Sequence, residues 1–279
     1  MFEVVFLLCL GFVWILFASI QDCRKTEIAN WLNFSLVVFA LGFRVFYSLF
    51  NGGFDFFYQG LIGFGIFFVI GNLFYYGRLF AGGDAKLMIV LGSVLALSDN
   101  FFINLKVYLV FLLLFLFVGA IYGILWSIYL AIKYRGKFSK AFKEIFISNK
   151  VLIYIVSGIA ILFFIIGIVN WLYFFIGVFL IGFLFLYFFI KAIDEGCMIR
   201  KVLTKDLTEG DWLSKDVKIN KKIIKAHWEG LELDDIKLLQ KNKKYVLVKR
   251  GIVYAPVFLF SFIILILGMF GLLKLFWIF

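Results

Sequence analysis

The run VLIYIVSGIAILFFIIGIV, Val151–Val169, decides the class of this protein. It holds no charged residue and no alternation of polar and apolar side chains. A helix needs about 20 apolar residues to cross a bilayer. A membrane β-barrel would instead need alternating strands of about ten residues. Comparable runs recur along nearly all of the 279 residues, of which 65% are hydrophobic, and the mean hydropathy is +1.06. Forty Phe and a single Pro suit lipid-facing helices. The chain therefore reads as an all-α polytopic membrane protein.

Apolar length predicts about eight transmembrane helices, near residues 2–20, 31–50, 56–77, 86–98, 104–132, 151–169, 171–190 and 256–278. Asn170 leaves only a minimal turn between the sixth and seventh, so those two should form a tight antiparallel hairpin. The first span lacks a basic segment ahead of it and carries its charges behind it, which argues against a cleaved signal peptide. With the N-terminus outside, every Lys and Arg of the 28 except Arg44, Lys106 and Lys274 falls in a segment assigned to the inside. The positive-inside rule then fixes the orientation. The net charge of +11 is thus a topology signal and no sign of nucleic-acid binding.

The expected organisation is a membrane core over 1–132, a basic cytoplasmic loop with a helical hairpin over 133–190, a soluble insert over 191–255 and a final helix over 256–279. The insert is the only sizeable polar block. GLELDDIKLLQKN (Gly230–Asn242) has helical spacing at Leu231, Ile236 and Leu239, and KYVLVKRG (Lys244–Gly251) reads as a strand, which makes a small α+β unit. Its basic balance suits anionic lipid headgroups, and equally a merely solvated surface. Cys9, Cys23 and Cys197 have no CxxC spacing, and His227 is the one histidine, so neither a disulfide framework nor a metal centre is expected. No cofactor loop is visible.

Acids are scarce outside the insert. Asp22 ends the first span and Asp84 opens the fourth, so the topology places both at the cytoplasmic face. Two carboxyl groups close together share a proton and titrate as a unit. The ionised member takes a proton from water, and the protonated member donates to the oxygen of an attacked peptide carbonyl. Gly82 and Gly83 would let substrate backbone approach. Taken alone, two such acids are also what ordinary interfacial carboxylates look like. Lys86 either tunes the charge around Asp84 or snorkels to headgroups. Asn30 either orients the backbone near Asp22 or caps the second helix.

The context is more specific. DCRKTEIANWLN (Asp22–Asn33) and AGGDAKLM (Ala81–Met88) together resemble the two active-site motifs of the type IV prepilin peptidase family, membrane aspartic proteases of the GxGD type. Ile28, Ala29 and Asn30 match the family's Ile-Pro-Asn with Ala for Pro, and Ala81 stands for the first Gly of Gly-x-Gly-Asp. KDLTEGDWL (Lys205–Leu213), GLELDDIKLL (Gly230–Leu239) and KRGIVYAPVF (Lys249–Phe258) look like the C-terminal region of the archaeal preflagellin and prepilin peptidase branch. The resemblance implies catalytic Asp22 and Asp84, no cofactor, and prepilin or prearchaellin precursors as partners, cut behind a short basic leader at the cytoplasmic face of the cell membrane. The alternatives are a proton-coupled transporter or an assembly scaffold with incidental acids; Gly119–Gly123 is a helix-packing GxxxG that would serve any of them.

Overall fold

The computed structural model describes residues 2–51, 53–219, 222–227 and 230–271. Its long helices are α1 (Phe2–Lys25), α2 (Asn30–Asn51), α3 (Asp55–Tyr76), α4 (Gly82–Leu95), α5 (Phe101–Lys133), α6 (Arg135–Ser148), α7 (Lys150–Ile166) and α8 (Trp171–Ala192). A small mixed region follows: β1 (Ile199–Leu203), β2 (Trp212–Leu213), β3 (Val217–Ile219), β4 (Lys222–Ile224), α9 (Leu233–Asn242) and β5 (Tyr245–Lys249). Helix α10 (Ala255–Met269) comes last.

Among the described residues, α1, α2, α3, α5 and Trp171–Cys197 are long and apolar enough to cross a membrane. A sixth span arises if α6 and α7, bent by 75° at Asn149, count as one. The expected eight is not reached. Helix α4 has 14 residues, roughly 21 Å at 1.5 Å per residue, against an apolar bilayer thickness of about 30 Å. Helix α10 is described to Met269, and the rest of the expected span to 278 extends past the described residues. Residues 133–150, expected as a basic loop, are mostly helix α6, because Phe138, Ala141, Phe142 and Ile145 form an apolar stripe that packs on Leu184, Phe188 and Ala192 of α8.

The chain divides into two compact units, Met1–Gly123 with Val253–Phe279, and Ile124–Ile252. In the first, α4 is buried along almost every face, as expected of a helix that is apolar all round. Its neighbour α3 comes close enough for backbone contact. A methyl at Gly63 would overlap the Gly92 carbonyl oxygen, and one at Gly71 would stand 2.9 Å from the Ala85 oxygen. Small residues at such crossings are how membrane helices approach.

The far end of α4 is closed by a buried cation. Arg44 of α2 is fully buried, and its Nε donates to the Ser93 carbonyl at 3.0 Å, Nη1 to Phe56 at 2.8 Å, and Nη2 to Ala96. Its guanidinium also lies 4.3 Å from the centre of the Phe56 ring. Two of these carbonyls belong to the end of α4, where the helix leaves acceptors unpaired and carries partial negative charge. Gly60 supplies the room, since a Cβ there would meet Nε at 2.7 Å. A short helix can thus stop inside the apolar unit with its carbonyls satisfied.

In the second unit, α7 and α8 pack together across a turn at Asn170, whose Oδ1 accepts the Leu172 N–H at 3.1 Å. The polar region forms an antiparallel sheet of order β1-β5-β2 and a β3-β4 hairpin. Leu213, Ile236, Leu239, Val246 and Val248 lie in its core. The helix and strand expected within 230–251 are α9 and β5.

Candidate functional site

Three helix ends of the first unit meet here: the C-terminus of α1, the N-terminus of α4 and the N-terminus of α10. Asp22 lies in the last turn of α1 and is only 8% exposed, and Asp84 lies in the first turn of α4 at 9%. Solvated interfacial acids would be open to water; these are not. The two carboxyl groups are near enough for their charges to interact.

Each acid has a local reason for its place. Asp84 is the third residue of α4, where an acid faces the free N–H groups and the positive end of the helix. Its carboxyl group looks back toward the N–H of Ala81, the N-cap. Asp22 reaches further. Its Oδ2 accepts the backbone N–H groups of Tyr254 and Ala255, each at 3.0 Å. One turn earlier, Ser19 Oγ donates to the Ala255 carbonyl at 3.1 Å. Asp22 therefore acts as a cap, supplied by another helix, for α10. Pro256 sits in the first turn of α10, where a missing N–H costs nothing.

The segment joining α1 to α2 is short and pinned. The Thr26 N–H donates to the Asp22 carbonyl at 2.8 Å, with Thr26 at φ 55°. Ala29 stands where the resembling motif has Pro, and its N–H donates to Gln21 Oε1 at 3.2 Å, a bond that Pro has no hydrogen to make. Ala81 has φ −71° and ψ 161°, open to any residue, so Ala in place of Gly causes no strain.

Lys86 and Asn30, each open to two readings in the sequence, meet each other: Lys86 Nζ donates to Asn30 Oδ1 at 2.7 Å. The contact ties the start of α2 to the first turns of α4. Gly82 and Gly83 form the first turn of α4, and a Cβ on either would meet no backbone. A Cβ at Gly83 would make ordinary contact with Ile28 at 3.5 Å, and one at Gly82 would come within 3.9 Å of Tyr75.

The sequence reading missed Ser19, Tyr254 and Ala255. Tyr254 packs against Phe80 and Phe115, with ring centres 6.1 and 5.7 Å away. Its only advance signal is its place just before Pro256, which marks a helix start.

No curated protein and no solved structure gives a match. The model of the type IV leader peptidase family matches residues 9–128, a segment that holds both Asp22 and Asp84.

Proposed function

We propose that this protein is a membrane-embedded aspartic endopeptidase that removes the short basic leader of type IV prepilin-like or prearchaellin precursors. Asp22 and Asp84 are its catalytic pair. The observation that carries the reading is that two buried acids, distant in sequence, stand within electrostatic reach of each other in a segment that has the pattern of the leader peptidases.

The chemistry balances without a metal or a covalent intermediate. One carboxylate takes a proton from water as the water oxygen bonds to the scissile carbonyl carbon. The partner carboxyl gives its proton to the carbonyl oxygen, forming a neutral gem-diol. The C–N bond then breaks as the first carboxyl passes its proton to the leaving nitrogen, and the diol returns a proton to the second carboxylate. Gly82, where a Cβ would meet nothing nearer than Tyr75 at 3.9 Å, would let a substrate backbone approach beside Asp84.

The distribution of Lys and Arg supports an N-terminus outside and a site at the cytoplasmic face. A class III leader stays on that side with its apolar helix in the bilayer, so the scissile bond arrives without crossing it. Whether archaellins or pilins are the natural substrates is tested by incubating membranes that contain the protein with each precursor and sequencing the new N-termini. Cleavage at the boundary between leader and apolar helix is expected for at least one. No cleavage of either overturns the reading.

A further inference from the structure

Two features of the sequence had no assigned place in the chemistry: the VYAP stretch before the last helix and the GxxxG of α5. The structure joins them at Tyr254. The backbone of Tyr254 donates to Asp22 Oδ2 at 3.0 Å. The phenol of the same residue is directed elsewhere. Its hydroxyl oxygen lies on Gly119, where a Cβ would overlap it, and its ring edge meets Phe115 at 76°. The other glycine of the motif, Gly123, has open space over it, so only Gly119 is required for close approach. The phenol is half-buried. Burial, and secondarily the charge of Asp84, push its ionisation upward from the ordinary tyrosine range.

The main chain of this residue thus holds Asp22, while its side chain anchors that main chain on Gly119, Phe115 and Phe80. Three segments far apart in sequence support it: Ser19 and Asp22 of α1 hold its backbone and that of Ala255, Gly119 of α5 makes room for its hydroxyl, and Phe80 ahead of α4 packs on its ring. A plain space-filling aromatic needs the ring alone. It needs no glycine beneath its oxygen.

We propose that Tyr254 is a positioning residue of the peptidase: its phenol, seated on Gly119, holds the entry to α10 so that its backbone N–H fixes Asp22. The inference rests on the aspartic reading above. It makes the entry to α10 the third arm of the site, so the geometry of the acid pair depends on how α10 starts as well as on α1 and α4.

The test uses the full-length protein in detergent and a synthetic precursor peptide spanning the leader and the first residues of its apolar helix. Tyr254→Phe keeps the ring and loses only the hydroxyl. It is expected to lower kcat about 10- to 100-fold, as for a misplaced catalytic group, with KM within about twofold. Its pH–rate profile should be displaced, while its melting transition stays at the wild-type position. Gly119→Ala should lower kcat by pushing the phenol away. The double variant Gly119→Ala/Tyr254→Phe should be no worse than Tyr254→Phe alone, because the new methyl takes the space of the missing hydroxyl. Wild-type kcat and an unmoved pH profile in Tyr254→Phe overturn the inference, as do strictly additive losses in the double variant. If Tyr254→Phe does not fold, Gly119→Ala carries the test, and full activity in it overturns the seat. Asp84→Asn is run beside them: activity retained there removes the aspartic reading itself, a failure distinct from that of Tyr254.

Discussion

Asp22 has two separable roles in this structure, a charge and a cap, and two substitutions split them. Asp22→Asn keeps an oxygen that can accept the Tyr254 and Ala255 N–H groups, and Asn is as good an N-cap as Asp. The substitution removes a negative charge near the positive end of α10, an attraction of about 0.3–1 kcal/mol. It also removes the cost of burying that charge, which works in the opposite direction. Asp22→Asn should therefore lie within about 1 kcal/mol of wild type. Asp22→Ala removes the acceptor as well. Loss of a cap costs about 0.5–2 kcal/mol. Here the stranded Ala255 N–H belongs to a fully buried residue, and an unsatisfied buried donor costs about 1–3 kcal/mol. These describe one loss counted two ways, so Asp22→Ala should be destabilised by about 2 kcal/mol. Unfolding in detergent, followed by tryptophan fluorescence against denaturant, gives the ranking, and precursor cleavage is measured on the same samples. The expected result is wild type and Asn close together, Ala clearly lower, and both variants inactive. Equal stability of Ala and Asn would refute the capping argument. Full activity in Asn would refute the catalytic one.

Arg44→Met should destabilise the protein by about 3 kcal/mol or more, since three buried carbonyls lose their donors, and Arg44→Lys should recover only part of that, because a single ammonium lacks the guanidinium fork; the detergent unfolding midpoint reads both. Gly83→Ala should fold normally, with an unchanged unfolding midpoint in detergent, since the new methyl meets Ile28 at an ordinary 3.5 Å. Gly63→Ala is the contrasting case: overlap with the Gly92 carbonyl should sharply lower the yield of folded protein recovered from membranes.

Much of this was legible in the sequence. The acids stood out because carboxylates are scarce outside the polar insert and these two sit in the paired motifs, and the insert showed its helix by spacing at Leu231, Ile236 and Leu239 and its last strand in KYVLVKRG. What failed was counting by apolar length. The run after Asp84 is apolar enough for a span, but α4 ends at Leu95 because Arg44 satisfies carbonyls at its end. A cation inside a span announces a special role without naming its partners. Helix α6 was hidden by its lysines, although Phe138, Ala141, Phe142 and Ile145 already carried helical spacing. Pro256 marked the helix start beside Tyr254 and Ala255 but not their partner, because their bond to Asp22 joins distant parts of the chain and exists only once α1 and α10 pack. Asn30 and Lys86 each looked like half of something, and only the fold shows that they are halves of one contact.

The most direct test of the account is cleavage by Asp22→Asn, Asp84→Asn and the double variant, each inserted at the wild-type level and assayed with a precursor that the wild type cuts. A pair that works as one unit predicts that either single change abolishes cleavage and that the double change adds nothing further. Substantial cleavage by either single variant would contradict it.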